Sequence, residues 1–252
     1  MLTCGIVGGG CDFEKYLYTA IATGELTRKE SIKWLIYVDD WFVVIPEYPI
    51  MMKRLRARFP KANIVEISSK SLTDKNRAGF RHGANLDYLT SFFETDYCMI
   101  LDQDIAFLYR GWDTLLLSEL NEHTIAIGTE APDELLWKNT PFIHALMYDR
   151  QIFQDLKINF LKDHKSNDKY ERIHWENAAI WGKKEGTIYK ENGYKIPLII
   201  NQNNHFDTKV LKPLIEADLT EWYYSKEGVL ILSHKKASRK KKDGKDETSG
   251  RV

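Results

Sequence analysis

The first half of the chain contains short apolar-rich runs, at residues 2–7, 34–38, 63–67 and 98–101. Apolar runs of about four to eight residues are typical of strands that are buried on both faces. We therefore expect four strands in this half. The second run is followed directly by Asp39 and Asp40, and the fourth by Asp102.

Segments with helical spacing separate these runs. The segment after the first run has Asp12 as its predicted N-cap and Gly24 at its predicted end. A second helix is predicted at 50–59, where Pro60 stops it, and a third at 83–93. Strands that alternate with helices predict an α/β fold with a mostly parallel central sheet flanked by helices. Ligands of such sheets bind beyond the carboxyl ends of the strands.

The second half of the chain is less regular. Its predicted elements are strands at 124–127, 142–148 and 229–232, a helix at 150–160, a polar loop at 162–171, and weaker elements at 176–181 and 195–200. Residues 240–252 are rich in lysine and lack apolar periodicity, so we expect a disordered tail. The predicted organisation is one domain with two halves, at 1–115 and 116–239, followed by the tail.

Composition narrows the class of protein. The chain has 252 residues, of which 43% are hydrophobic and 29% charged, as in ordinary soluble globular proteins. Lysine plus arginine and aspartate plus glutamate both number 36, so no net field favours nucleic acid as a partner. The three cysteines fit neither a zinc pattern nor a disulfide framework. We see no signal peptide and no apolar run near the ~20 residues that span a bilayer, so we expect a cytoplasmic protein.

The strongest chemical signal follows the fourth apolar run. There Asp102, Gln103 and Asp104 stand between two apolar stretches. Carboxylates are seldom buried without a partner, because desolvating an unpaired charge is costly. Residues i and i+2 of an extended chain lie on the same side, so both aspartates can face one cation, for which Mg²⁺ or Mn²⁺ suits oxygen ligands. The alternative is a strand end with two solvated or capping aspartates.

Four short motifs occur in a recognisable order. The chain has YLYTAI at 16–21, VDD at 38–40, GFRHGAN at 79–85 and DQD at 102–104, with Gly111-Trp112 after the last. Together they resemble GT-A fold glycosyltransferases of the family 2 type, which includes rhamnosyltransferase-like enzymes. The resemblance covers about residues 1–115. The chain departs from the family pattern at Trp41-Phe42, where small residues are usual, and at Asn76, which is one position too far from Gly79.

This resemblance implies an enzyme that moves a sugar from a nucleotide-sugar donor to a hydroxyl acceptor. It would be a metal-dependent, inverting hexosyl- or deoxyhexosyltransferase using Mn²⁺ or Mg²⁺. Asp104 is the implied main metal ligand, with Asp102 contacting the metal or the ribose, and His234 matches a late histidine motif and is the third candidate ligand. The implied donor-binding residues are Asp39, Asp40, Gly79, Arg81, His82, Asn85, Asp102 and Gln103.

An inverting transferase also needs a general base that removes the proton of the acceptor hydroxyl. The segment Trp175-Glu176-Asn177 stands where many family members have Glu-Asp, so Glu176 is the candidate base. Asn177 replaces an aspartate that is common in the family. Three acids that follow a predicted strand are therefore competitors: Glu130, Asp133 and Glu134.

The expected partners are the nucleotide-sugar donor and a glycan or lipid-linked acceptor, with no nucleic acid. The tail at 240–252 is strongly basic, and anionic membrane surfaces attract such segments by roughly 1 kcal/mol per basic residue. A weak peripheral membrane contact through this tail is therefore one hypothesis. A solvated tail without a function is the other.

Other functions fit the sequence less well. A retaining transferase of the same fold and a catalytically inactive nucleotide-sugar-binding protein remain alternatives, since the aspartate pair serves each of them. Gly8 and Gly10 begin a dinucleotide-binding motif, but Phe13 stands where the third glycine belongs. A nucleotidyltransferase would need a basic residue in a glycine-rich loop, and Lys15 is poorly placed for that role.

Overall fold

The computed structural model describes residues 1–9, 13–38, 47–67, 78–131, 137, 139–161, 172–176, 185–189, 192–217, 220–235, 241–242 and 245–246. The helices are α1 (Phe13–Thr27), α2 (Tyr48–Arg58), α3 (Ala78–Thr90), α4 (Trp112–Ser118), α5 (Arg150–Asp155) and α6 (Lys195–Gln202). The strands are β1 (Leu2–Gly8), β2 (Ile32–Val38), β3 (Asn63–Ile67), β4 (Tyr97–Asp102), β5 (Ile105–Phe107), β6 (Thr124–Glu130), β7 (Pro141–Asp149), β8 (Arg172–Glu176), β9 (Glu185–Tyr189), β10 (Asp207–Ala217), β11 (Thr220–Tyr224), β12 (Leu230–Lys235), β13 (Lys241–Lys242) and β14 (Lys245–Asp246).

One ten-stranded sheet organises the described residues, in the order β3-β2-β1-β4-β7-β6-β10-β11-β12-β5. The strands β1 to β4 pair in parallel, as the alternation of strands and helices predicts. The ladders from β4 to β7 and from β10 through β12 to β5 are antiparallel. The sheet is therefore mixed and not mostly parallel as predicted: β1 to β4 pair in parallel in the first half of the chain, and β6 and β10 pair in parallel in the second half.

Helices cover both faces of this sheet. On one face α1, α2 and α4 pack over β1, where Leu2, Cys4 and Ile6 are buried. On the other face α3, α5 and α6 pack over β4, where Cys98 and Ile100 are buried. Strands buried on both faces appear in the sequence as continuous apolar runs, which is why β1, β2 and β4 were predictable. The edge strand β3 is only partly buried.

The sheet turns back on itself where β4 gives way to β5. The strands β4 and β5 are separated only by the turn at Gln103 and Asp104, yet β5 pairs with β12, not with a neighbour of β4. His234 of β12 lies opposite Ile105, and the amide of Lys235 donates to the carbonyl of Asp104. This pairing brings the C-terminal strand of the sheet to the acidic turn.

Several predicted boundaries differ from the structure. Helix α1 continues past Gly24 to Thr27, so Gly24 does not end the helix. Instead it allows the Trp34 ring to pack closely against the helix, since a Cβ at Gly24 would lie 2.6 Å from that ring. The helix predicted at 150–160 ends at Asp155, followed by Lys157 with φ of 55°. Helix α3 begins five residues earlier than the predicted 83.

Other differences concern whole elements. Strands β10 and β11 were not predicted at all. The predicted element at 176–181 overlaps β8 only at Glu176, the last residue of β8. The predicted N-cap Asp12 lies outside the described residues, as do residues 162–171 and 177–181. Within the tail, the described residues form the short antiparallel pair β13–β14.

Candidate active site

The acidic turn lies at the carboxyl end of β4, beside the carboxyl end of β1. Asp102 is the last residue of β4, and Asp104 occupies the turn before β5. The Nε2 atom of His234 is 3.9 Å from Oδ2 of Asp102 and 3.3 Å from Oδ1 of Asp104. The two carboxylates thus approach the same imidazole nitrogen, and a turn arranges them, not the extended chain that the spacing argument assumed.

Gln103 between the aspartates ties the turn to the end of β1. The backbone amide of Gly9 donates to Oε1 of Gln103 at 2.9 Å, and Nε2 of Gln103 donates to the carbonyl of Gly9 at 2.9 Å. A Cβ at Gly8 would lie 2.7 Å from Oε1 of Gln103 and 2.0 Å from the Phe13 ring. Gly8 is therefore required for this close approach, and the paired amide holds the acidic turn in place.

His234 is held in the site by groups on a neighbouring strand. Its Nδ1 atom is 3.4 Å from Oε2 of Glu221, which lies directly opposite in the β11–β12 ladder. The hydroxyl of Tyr223 donates to the same Glu221 oxygen at 2.8 Å. A carboxylate on one ring nitrogen orients the imidazole and leaves the other nitrogen directed at the aspartates.

A second histidine enters the site from β7. Antiparallel pairing places Leu101 opposite Ala145, so Asp102 comes next to His144 one residue further along. Oδ2 of Asp102 is 3.8 Å from Nε2 of His144 and 3.9 Å from Nε2 of His234. This carboxylate oxygen is therefore nearly equidistant from the two imidazoles. The two imidazole rings lie 4.2 Å apart, centroid to centroid, with 36° between their planes.

His82, near the start of α3, approaches the other oxygen of the same carboxylate. Its Nε2 atom is 3.9 Å from Oδ1 of Asp102, and its side chain is one third exposed. His234 is the most enclosed of these groups, with a side chain only 6% exposed, against 25% for Asp102. The site is therefore open on the His82 side and closed on the His234 side.

Burial and charge shift the protonation of this cluster. Burial, assisted by the negative charge of Asp104, raises the pKa of Asp102 to about 7, although His234 opposes the shift. Burial disfavours the imidazolium of His234, but hydrogen bonds to Asp104 and Glu221 and the charge of Asp102 outweigh it and raise the pKa of His234 to about 9. Without a metal ion, a protonated His234 therefore balances the carboxylates near neutral pH.

Asp102, His144 and His234 each offer a ligand atom, and these atoms lie within 4.8 Å of one another. Asp104 adds a carboxylate oxygen beside His234. Carboxylate oxygens and imidazole nitrogens are common ligands of divalent cations, so the donor set fits a metal ion. The structure thus brings together the three predicted metal ligands and adds His144.

The other predicted residues are distributed differently. Asn85 is buried within α3, Gly79 and Arg81 belong to the first turns of the same helix, and Glu176 ends β8. Glu130 ends β6 and is 3.7 Å from Nζ of Lys212, with which it forms an ion pair. The remaining predicted residues lie outside the described parts of the chain: Asp39, Asp40, Asp133 and Glu134.

Sequence reasoning missed His144, Glu221 and Tyr223. The only signal for His144 was a single polar residue inside the apolar strand prediction at 142–148. Glu221 and Tyr223 belong to β11, which was not predicted. Their roles depend on strand pairing and had no local signature.

Comparisons with known proteins identify the fold. The structure is similar to the mannosyltransferase PcManGT from Pyrobaculum calidifontis in complex with GDP-Man and Mn²⁺, with a TM-score of 0.50 and 9% identity, over 66% of this chain and 49% of that chain. TarS 1–349 from S. aureus matches with a TM-score of 0.45 and 12% identity, over 66% of this chain and 51% of that chain. The chain spans about half the length of these structures. The predicted GT-A-like α/β fold is confirmed.

Sequence comparison adds no closer relative. No family model and no curated protein matches the chain. In the described parts of the chain, every helix is too short or too polar to cross a membrane.

Proposed function

We propose that this chain is a glycosyltransferase that moves a sugar from a nucleotide-sugar donor to a hydroxyl acceptor with the help of a divalent cation. The observation that carries the proposal is the convergence of Asp102, Asp104 and His234 at the carboxyl ends of β1 and β4 in a GT-A-like sheet. Ligands of open α/β sheets bind at this edge. A half-buried acidic pair in that position is suited to a cation that accompanies a diphosphate.

Asp102, Asp104 and His234 would hold the cation, as Mn²⁺ or Mg²⁺. When bound, a divalent cation stabilises the negative charge that develops on a departing nucleoside diphosphate. Gln103 keeps both aspartates in place through its paired bonds to Gly9. Because the turn is already held by these bonds, little reorganisation is needed when the donor binds.

Donor recognition is assigned to residues around the open side of the site. Asp39 and Asp40 would bind the nucleotide base, since they follow β2, whose carboxyl end lies beside that of β1. His82 is partly exposed beside Asp102, where it can donate a hydrogen bond to the ribose or the diphosphate. Gly79, Arg81 and Asn85 on the same helix belong to the proposed donor-binding set, as do Asp102 and Gln103 of the acidic turn.

Glu176 is the proposed general base, which makes the reaction inverting. Among its competitors, Glu130 ends β6 and forms an ion pair with Lys212. Asp133 and Glu134 remain competitors for the role. A retaining reaction would not require this base, so the configuration of the product distinguishes the two mechanisms.

The transferred sugar would be a hexose or a deoxyhexose, and the acceptor a glycan or a lipid-linked saccharide. PcManGT was solved with GDP-Man, so GDP sugars belong in the donor screen along with UDP and dTDP sugars. The basic tail at 240–252 provides the proposed weak contact with an anionic membrane.

A donor screen tests this proposal. The full chain is incubated with UDP, GDP and dTDP sugars, with Mn²⁺ or with EDTA, and thermal stability and donor hydrolysis are measured. A ligand that binds the folded state raises the melting temperature by mass action, so one donor should do so only when the metal is present. Metal-dependent stabilisation without hydrolysis or transfer would indicate an inactive binding protein. Neither stabilisation nor hydrolysis with any donor would contradict the proposal.

A further inference from the structure

We propose that His144 is a direct ligand of the bound cation, and that two imidazoles make this centre select Mn²⁺, Co²⁺ and Zn²⁺ over Mg²⁺ and Ca²⁺. The inference rests on the proposed function for what the ion does in catalysis. The choice of ion itself depends only on the ligand set, which is Asp102, Asp104, His144 and His234.

The position of His144 supports the first part of this inference. Strand β7 is the antiparallel neighbour of β4, and its register puts His144 beside Asp102. The Nε2 atoms of His144 and His234 lie 3.8 and 3.9 Å from the same oxygen of Asp102. The two ring nitrogens come from two different strands and converge on one carboxylate oxygen. These three atoms are therefore placed to contact the same ion.

The orientation of His234 supports the same arrangement. Glu221 occupies its Nδ1 side at 3.4 Å, and Tyr223 holds Glu221 through a hydrogen bond of 2.8 Å. A carboxylate behind a histidine in this way is the usual arrangement around metal-bound imidazoles. The Nε2 atom of His234 is thereby aimed at Asp102, Asp104 and the nearby ring of His144.

Ligand chemistry then decides which ion is preferred. Mg²⁺ and Ca²⁺ prefer oxygen ligands, and Mg²⁺ gives up its water reluctantly. Imidazole nitrogen suits zinc, iron, copper and nickel, and affinity of a nitrogen–oxygen site rises from Mn²⁺ through Co²⁺ to higher members of the series. A site with two imidazoles and two carboxylates should therefore bind Mg²⁺ weakly, Mn²⁺ more tightly, and Co²⁺ and Zn²⁺ more tightly still.

Calorimetric titration of the full chain with each ion, without nucleotide, tests the order of affinities. The absorption spectrum of bound Co²⁺ gives a second readout, because nitrogen ligands change its visible bands. The test variant is His144→Gln, and His123→Gln is its matched control. His123 is an exposed histidine at the amino-terminal end of β6, the opposite edge of the sheet, with its ring 4.8 Å from His205.

We expect His144→Gln to lower Co²⁺ and Zn²⁺ affinity by at least about tenfold, since even the partners behind a ligand contribute 10–100-fold. Mg²⁺ affinity should change much less, and the Co²⁺ spectrum should shift. His144→Asp should restore tight binding while reducing the preference for Co²⁺ over Mg²⁺. The control His123→Gln should retain the wild-type order and spectrum.

Equal affinities of the wild-type chain for Mg²⁺ and Co²⁺ would overturn the inference, whether or not the variants fold. An unchanged Co²⁺ spectrum in folded His144→Gln would also overturn it. Loss of Zn²⁺ binding in His123→Gln would assign that binding to the exposed histidine pair instead. Because no nucleotide sugar is present, these outcomes are separate from the donor screen: the ion preference can hold while transfer fails, and the reverse.

Discussion

The two halves of the chain contribute to the candidate site in different ways. The first half supplies Asp102 and Asp104 from a single turn after a buried parallel strand. The second half supplies His144, Glu221 and His234 from three separate strands of antiparallel ladders. The two aspartates are thus close together because they are neighbours in the sequence, whereas the histidines are brought to them by the register of paired strands.

Strands β1 and β2 of the first half differ in burial from β10 of the second half. All residues of β1 are buried, and the same holds for β2 except at Lys33. In β10, Leu211 is buried, but Lys212, Pro213 and Leu214 that follow it are exposed. A parallel strand covered on both faces is visible as an apolar run, whereas a strand at the less covered part of the sheet is not.

The largest expected effect comes from removing the acidic part of the site. Asp104→Asn should lower turnover by about 10²–10³-fold or more, the usual scale for a group that stabilises developing charge. It should also weaken metal-dependent binding of the nucleoside diphosphate. Asp102→Asn should act in the same direction but less severely. Steady-state kinetics and calorimetry measure both effects.

The matched control for these variants is Asp155→Asn, an exposed aspartate in α5 that hydrogen-bonds Gln151. It should leave turnover and metal binding unchanged. If UDP, GDP and dTDP bound equally well with EDTA and in both acidic-turn variants, the metal role of the first half would be wrong.

The next effect concerns the proposed base in the second half. Glu176→Gln should lower turnover by about 10²-fold or more, with donor binding nearly unchanged, because a general base acts on the acceptor proton. Glu185→Gln is the control, since Glu185 lies opposite Glu176 in the β8–β9 ladder. Full activity of Glu176→Gln would move the role to Glu130, Asp133 or Glu134. Retention of the donor's anomeric configuration would favour the retaining mechanism.

A smaller effect is expected when the support of His234 is removed. Glu221→Gln should lower Mn²⁺ affinity by about 10–100-fold, because it weakens the partner that orients the imidazole. Tyr223→Phe removes only the hydrogen bond to Glu221 and should have a smaller effect in the same direction. Calorimetry measures both affinities. Unchanged affinity in folded Glu221→Gln would mean that the register of β11 does not contribute to the metal site.

Metal affinity should also depend on pH. The pKa of His234 is raised to about 9 and that of Asp102 to about 7, so both groups carry protons at neutral pH that a cation must displace. Between about pH 7 and 9, where Asp102 is already largely ionised, Mn²⁺ affinity should therefore rise by up to about tenfold per pH unit as His234 gives up its proton. Titrations in buffers of different ionisation enthalpy count the released protons. Affinity that is constant over this range would contradict the assignment of His234 as a ligand.

The same shifts affect the stability of the metal-free chain. Because the folded pKa of His234 is above its ordinary value of 6.5, its contribution to stability is complete below about pH 6.5 and is lost as the pH rises through about 9. The folded pKa of Asp102 is also above its ordinary value of 3.8, so its contribution to stability is lost as the pH rises from about 4 to about 7. Thermal melts with EDTA should therefore show falling stability over the range in which metal affinity rises.

The smallest expected effect concerns the tail. Removal of residues 240–252 should leave activity on a soluble acceptor unchanged, because no group assigned to the site lies there. It should weaken sedimentation with anionic liposomes at low salt, since basic residues near such a surface contribute roughly 1 kcal/mol each. Neutral liposomes are the control. Equal sedimentation of the truncated and complete chains would exclude the membrane contact.

The local pattern of the sequence was sufficient for the first four strands and for singling out the pair of aspartates after the fourth. Apolar runs revealed β1 to β4, and the spacing of Asp102 and Asp104 indicated that they face one point. Both inferences rest on short-range regularities, namely the burial of a central strand and the high cost of an unpaired buried carboxylate. The resemblance to a known family added His234 as a candidate ligand, and its Nε2 atom lies 3.3 Å from Oδ1 of Asp104.

Only the tertiary structure decided how the second half completes the site. The pairing of β5 with β12 put His234 beside the turn, and the register of β7 against β4 put His144 beside Asp102. A shift of one residue in either ladder would turn these side chains to the opposite face of the sheet. Such registers depend on contacts between residues that are distant in the chain, so no local pattern around His144 or Glu221 could have identified them.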